Sequence, residues 1–303
     1  MMSSNLDKLF VEVNNWITPS LESAFVEEDY TVEASKYSLL AGGKRIRPCF
    51  MYVIGQMLDA NLYDIRVFAT ALEMIHTYSL IHDDLPCMDD DELRRGKPTC
   101  HIAYGENYAV LAGDALLNKA YEILLKHLIT NPSHSYAASE LARAAGASGM
   151  IGGQTIDLQS EGKKISSTLL NELHEKKTGA LIWASICVPY LIKYSNEDYV
   201  ETIKNRDFIQ LQKLSNIVGL AFQIKDDILD VTASTDKLGK SVGKDERDFK
   251  STFVTLYGLE EAKKLLDSCL DDINSIIEEL NENFGYNTDM LSALVDFVVK
   301  RDY

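Results

Sequence analysis

The chain has 303 residues, with 46 Asp and Glu against 30 Lys and Arg, for a net charge of −16. That balance makes nucleic acid a poor partner; an anionic substrate would need the few basic side chains concentrated, or metal ions as bridges. Five scattered cysteines without a C-x-x-C pair argue against a disulfide framework and against a zinc site, and for a reducing compartment.

Residues 1–7 lack a basic-then-apolar signal pattern, and no apolar run reaches about 18 residues, so the expectation is a cytoplasmic protein without membrane insertion. Only six prolines are present and no Gly/Ser-rich or low-complexity stretch divides the chain. Residues 1–303 therefore read as one domain.

Helical spacing dominates throughout. Residues 5–28 place Leu6, Phe10, Val13 and Ile17 on one stripe, and a second helix runs over 31–41 to Gly42-Gly43. After Lys44-Arg45-Ile46-Arg47-Pro48 comes an apolar segment over 49–58, then a helix over 64–82. Residues 107–128 alternate small and large apolar side chains, as closely packed helices do. A turn at Asn131-Pro132-Ser133 leads to a helix over 136–158 carrying Gly149, Gly152 and Gly153. Thr168 is expected to cap a helix that runs to Val188, before Pro189. A long helix from Asp198 or Val200 to Val231, a Gly/Lys/Asp-rich loop over 232–250 and helices over 258–281 and 289–300 complete the chain. Strand-like alternation is nearly absent, so the fold class is all-α, a bundle of roughly ten or more helices.

The stretch from His76 to Gly96 holds six carboxylates among 21 residues and runs straight out of the 64–82 helix. Pro86 cannot continue that helix, so the acids gather where it ends. Carboxylates sit badly at a helix C-terminus unless something positive joins them, and an oxygen-only donor set favours a hard cation such as Mg²⁺. By itself such a run is more often a solvated loop. A second acidic motif, Gln223-Ile224-Lys225-Asp226-Asp227-Ile228-Leu229-Asp230, lies far downstream. Gly219, Gln223, Asp226 and Asp230 share one helical stripe there, with Asp226 and Asp230 about 6 Å apart along the axis. An exposed helix face would explain that stripe, but a glutamine and a glycine in an otherwise apolar helix suit a cavity lining.

Basic residues form knots at Lys44–Arg47, Arg94-Arg95-Gly96-Lys97, Lys176-Lys177-Thr178-Gly179 and Lys237–Lys240. Lys44 and Arg47, three apart beside flexible backbone, make a good phosphate grip. Gly239-Lys240-Ser241 is no P-loop, because Ser234 occupies the place of the required glycine and no strand precedes it. Two aspartate motifs and several cationic knots on an apolar bundle are equipment for holding diphosphates over an oily cavity.

The motifs Asp83-Asp84-x₄-Asp89 and Asp226-Asp227-x-x-Asp230, with Gly42-Gly43-Lys44-Arg45-x-Arg47-Pro48 and Arg94-Arg95-Gly96, resemble those of the trans-isoprenyl diphosphate synthases, and most of all the bacterial farnesyl diphosphate synthases. The resemblance covers residues 36–260 with every motif in order. It implies a helical bundle around a central apolar cavity, a homodimer, and about three Mg²⁺ ions per site. It implies that Asp83, Asp89 and Asp226 ligate metal, with Asp84, Asp227 and Asp230 behind them or joined through water. Lys44, Arg47, His76 and Arg95 match the positions that hold isopentenyl diphosphate. Arg94, Lys177 and Lys240 match those gripping the allylic diphosphate, dimethylallyl and then geranyl. Thr178 and Gln223 match positions lining the developing carbocation. Tyr78, five residues before Asp83 and about 7.5 Å deeper along the helix, is expected to floor the cavity near fifteen carbons. Ordinary core packing would also account for it, as it would for His76. A geranylgeranyl diphosphate synthase, a class I terpene cyclase and a non-catalytic partner subunit remain as other readings. Lys225 and Tyr303 have no interpretation.

Overall fold

A computed structural model describes residues 2–232 and 251–300. Helices α1 (Met2–Glu22), α2 (Tyr30–Leu39), α3 (Ile46–Met57) and α4 (Leu62–Asp83) open the chain. Side-chain caps set their starts: Asp29 accepts from the Val32 amide and Asn61 from the Tyr63 amide. Helices α5 (Cys100–Tyr104), α6 (Glu106–Thr130), α7 (Ser135–Ala145) and α8 (Met150–Ser160) follow, then α9 (Ser167–His174) and α10 (Ala180–Lys193). The short α11 (Tyr199–Thr202) precedes α12 (Arg206–Thr232). Beyond residue 250 come α13 (Phe253–Tyr257), α14 (Leu259–Phe284) and α15 (Asp289–Lys300).

The core follows from composition. In α10 nearly every residue from Leu181 to Ile192 is buried, because a helix apolar on all sides can only lie at the centre. Helices α3, α4 and α12 pack around it, and α6 lies along α4. The buried cluster is continuous from Leu9 of α1 to Val299 of α15.

Several sequence expectations need correction. The first helix ends at Glu22, not at residue 28, and the long helix expected from Asp198 or Val200 is two, α11 and α12. The helix expected over 136–158 is two, α7 and α8, because Gly146 takes an extended conformation (φ −82°, ψ −165°) and breaks the ladder. Ser166, not Thr168, supplies the cap of α9 by accepting from the Leu169 amide. Pro189 does not end its helix: α10 runs through it to Lys193, the burial on every side outweighing one missing hydrogen bond. The described residues also contain a small antiparallel ladder, β1 (Leu93–Arg94) against β2 (Lys97–Pro98). Its connection, Arg95-Gly96, has φ of +54° and +74°, the double left-handed turn that joins two twisted strands. Arginine in place of the usual Asn or Asp hides that hairpin from a reading of residue types.

Candidate active site

The first acidic motif is shaped by the end of α4. The helix stops at Asp83, and the loop folds back so that the Asp89 amide donates to the Asp83 carbonyl at 2.9 Å and the Asp91 amide to the Asp84 carbonyl at 3.2 Å. Asp83 and Asp89 are thereby brought to one mouth. Asp84 faces the other way. It is 2 % exposed and takes the Arg94 guanidinium through Nε and Nη2 at 2.6–2.9 Å. Burial pushes the Asp83 carboxyl pKa up; Lys177 opposes that rise and Asp89 adds to it.

Lys177 and Thr178 stand on a π-helical turn, Glu175–Gly179, between α9 and α10. The turn is wedged between two helices at glycines. A Cβ on Gly153 of α8 would lie 2.1 Å from the Lys177 amide nitrogen, and one on Gly219 of α12 would lie 3.1 Å from the Gly179 Cα. Backbone can approach backbone only where side chains are missing. Wider spacing in the π turn carries Lys177 and Thr178 off the α-helical track and into the cavity. There Lys177 Nζ lies 2.6 Å from Asp157 of α8 and 3.9 Å from Asp83 of α4. Thr178 donates to the Gln223 side-chain oxygen at 2.7 Å, joining the turn to the helix of the second acidic motif.

In that motif the two adjacent aspartates behave differently. Asp227 is 5 % exposed and accepts from the Phe253 amide at 2.7 Å, tying α12 to the start of α13. Asp226 and Asp230 share a cavity of about 210 Å³ with Asp157, His174, Lys177, Thr178 and Gln223.

The basic corner forms from α3, α4 and the hairpin. Arg47 Nη1 lies 3.2 Å from His76 Nε2. Burial, with Arg47 and Arg95 adding to it, holds the His76 pKa well below its ordinary value. His76 is therefore neutral and accepts from Arg47. Burial brings the Arg47 pKa down to about 10, so the guanidinium stays charged. Arg95 Nη1 donates to the Gly42 carbonyl, and Lys44 Nζ stands 4.6 Å above the Phe297 ring of α15.

A second cavity of about 370 Å³ is lined by Arg47, His76, Asp83, Lys177 and Thr178 together with Tyr78, Met150 and Leu158 among others. Tyr78 is 5 % exposed, and its hydroxyl has no hydrogen-bond partner. Lys177 and Thr178 line both cavities. The two acidic motifs thus open onto adjoining spaces with Lys177 between them. Of the residues singled out from sequence, Ser234, Lys237, Lys240 and Tyr303 lie outside the described residues, as does the rest of the loop expected over 232–250 beyond residue 232.

Residues 28–285 match the polyprenyl synthetase family. The chain belongs to that family. It is 42 % identical to the farnesyl diphosphate synthase of Escherichia coli, over 89 % of both proteins. It is also 40 % identical to the chloroplastic geranylgeranyl pyrophosphate synthase of Capsicum annuum, over 93 % of this chain and 74 % of that protein. Its fold matches the crystal structure of the Helicobacter pylori geranyltransferase complexed with magnesium and isoprenyl diphosphate, with a TM-score of 0.83, 32 % identity and 98 % of each chain covered. The chain is accordingly a prenyltransferase, and its all-α fold is the one these enzymes share.

The donor set of this prenyltransferase fits a hard divalent cation. Its carboxylates supply oxygen only. Asp230 Oδ2 is buried with no hydrogen-bond partner, and burial disfavours the charge on Asp83, a cost that a cation would offset.

Two residues of the site escaped the reading of the sequence. Asp157 holds Lys177; its only signal was its place three residues after Gln154 on a small-residue helix. His174 is 9 % exposed, stacks on Phe253 at 5.4 Å and lines the aspartate cavity. Nothing in its sequence neighbourhood marks it, since burial is a tertiary property.

Proposed function

We propose that the enzyme is a farnesyl diphosphate synthase, built as one polyprenyl synthetase unit over residues 1–303 and working as a cytoplasmic homodimer with Mg²⁺. It condenses isopentenyl diphosphate head-to-tail with dimethylallyl diphosphate and then with geranyl diphosphate. The observation that carries this reading is Lys177: its ammonium lies 3.9 Å from Asp83 and lines the cavity of Asp226 and Asp230, while the oily space bounded by Tyr78 opens from the same point.

Asp83, Asp89 and Asp226 hold the metal, with Asp230 beside them. Asp84 and Asp227 act from behind, through Arg94 and the Phe253 amide. When bound, Mg²⁺ neutralises the allylic diphosphate and makes it a better leaving group. Lys177 and Arg94 add fixed positive charge at the same diphosphate, as does Lys240. Lys44, Arg47, His76 and Arg95 hold isopentenyl diphosphate in the basic corner. Neutral His76 there fixes the Arg47 fork, which suits a bidentate phosphate contact.

The allylic C–O bond breaks, the isopentenyl double bond closes the new C–C bond on the cation, and a proton leaves to the departing diphosphate. No base on the protein is required. The Thr178 hydroxyl donates a hydrogen bond to the Gln223 side-chain oxygen, so the hydroxyl lone pairs and the Gln223 oxygen present negative dipole ends to the developing charge. The growing chain passes toward Tyr78, whose ring stops it at fifteen carbons.

Product analysis with isopentenyl and dimethylallyl diphosphates in Mg²⁺ is the test. Farnesyl diphosphate should predominate. A twenty-carbon main product would assign the enzyme instead to the geranylgeranyl synthases, to which it is also similar.

A further inference from the structure

Far from the aspartate cavity, three titratable side chains converge with no part in the reaction. Asp64 lies in the first turn of α4, His127 in the last turn of α6 and His134 at the end of the 3₁₀ turn Pro132–His134 that leads into α7. The sequence spreads them over three elements; the packing of α6 along α4 brings them together. His127 Nε2 lies 2.9 Å from His134 Nδ1 and 3.6 Å from Asp64 Oδ1, and the three donor atoms lie within 4.8 Å of one another. All three residues are under 10 % exposed, at 9, 8 and 7 %. Phe68 sets its ring edge-on to both imidazoles, at 5.9 and 6.2 Å. Asp64 precedes Asp83 by nineteen residues on one helix, or about 28 Å, so this cluster is separate from the reaction site.

We propose that Asp64, His127 and His134 form a second metal site, selective for a borderline transition ion such as Zn²⁺, that pins the start of α4 to the α6–α7 turn. Two imidazole nitrogens and one carboxylate oxygen are zinc ligands, whereas the aspartate motifs offer oxygen alone. Donors bound tetrahedrally at ~2.0–2.1 Å stand about 3.3 Å apart. Two of the observed separations, 2.9 and 3.6 Å, straddle that value and the third lies within 4.8 Å, so the side chains must move to close on an ion but the backbone need not part. The ion takes the place of the proton shared by the two rings. That proton moves to His127 Nδ1, 3.5 Å from the Asn131 side-chain amide, whose oxygen can turn to accept it. His127 also borders a surface cavity of about 680 Å³ lined by Tyr63, Arg66, Thr70 and Asn131 among others, the side from which water would supply the fourth ligand. The scattered cysteines argue against a zinc site; this one runs against that expectation because its donors are imidazoles and a carboxylate, with no thiolate.

The test is a titration of metal-stripped, full-length protein with Co²⁺. Imidazole-ligated, four-coordinate Co²⁺ absorbs visible light far more strongly than Co²⁺ in an all-oxygen octahedral site, so the aspartate motifs stay nearly silent. One equivalent of strong absorption is expected, displaced by Zn²⁺. Affinity should fall at least ~10-fold in His127→Gln and in Asp64→Asn, with both variants shown folded by circular dichroism. Asp83→Asn and Asp226→Asn should keep the band. Absence of the band in wild type, a band undiminished in His127→Gln, or a band lost in Asp83→Asn would each overturn the assignment.

Discussion

Thr178 and Gln223, 45 residues apart in the chain, share a hydrogen bond of 2.7 Å, and through it the π turn meets the helix of the second acidic motif one turn before Asp226. Two oxygens that would otherwise rotate freely are thereby aimed into the cavity. Thr178→Val keeps the volume but removes the donor and leaves the Gln223 amide unanchored. Turnover should fall by roughly 10²-fold, with the KM for isopentenyl diphosphate, which we propose binds in the other corner, changing little. Steady-state kinetics against each substrate separates the two effects; a rise in that KM with unchanged turnover would place Thr178 elsewhere in the reaction.

Tyr78 is buried, its hydroxyl is unpartnered, and burial lifts its pKa to about 12, so the ring acts as an uncharged wall. Tyr78→Ala opens space below the cavity and should shift the main product from fifteen to twenty carbons or more. Chromatography of the hydrolysed products reads this directly. Unaltered chain length would mean that the floor lies deeper than Tyr78.

Asp226→Asn removes one charge from the oxygen set without changing shape. Turnover should drop by about 10²-fold or more while the melting curve of the metal-free protein stays in place. Raising Mg²⁺ should recover part of the loss. A variant within a few-fold of wild type would remove Asp226 from the metal set.

Gly153→Ala tests the wedge that presents Lys177. The added Cβ would meet the Lys177 amide nitrogen at 2.1 Å, a backbone contact that no rotamer change relieves. A stability loss of roughly 3 kcal/mol or more is expected, with turnover falling alongside it. Chemical denaturation and kinetics on the same preparation check both. A wild-type-like variant would show that α8 and the π turn have room to part.

Buried histidines contribute to the response to acid. Burial lowers the His174 pKa to about 4, and also lowers those of His127 and His134. A histidine freed by unfolding titrates near 6.5. Between those values the unfolded chain binds the extra proton, so this contribution is complete above about pH 6.5 and is lost as pH falls toward 4. His174 alone accounts for at most about 3 kcal/mol. The melting temperature of metal-free protein should be flat above neutrality and decline through that window, less steeply in His174→Gln. The raised Asp83 carboxyl works in the opposite direction in both proteins, so a decline equally steep in His174→Gln would contradict neutral burial of that ring.

Much of this enzyme is legible in its sequence. The 3.6-residue spacing of apolar side chains declared an all-α chain, and the stripe of Gly219, Gln223, Asp226 and Asp230 marked a polar line through an apolar helix. Pro86 showed where α4 must release its carboxylates. These are local properties, carried by one element at a time. Only the tertiary structure separates Asp83, open to the cavity, from Asp84, buried against Arg94 one residue later, because adjacent helical positions point about 100° apart and the pairing depends on a hairpin ten residues on. Packing likewise placed Lys177 between Asp157 and Asp83, by pressing a π turn onto glycines of two other helices. The convergence of Asp64, His127 and His134 has the same origin. Contacts among residues distant in the chain are chosen by how surfaces fit, and a linear order of side chains does not record that fit.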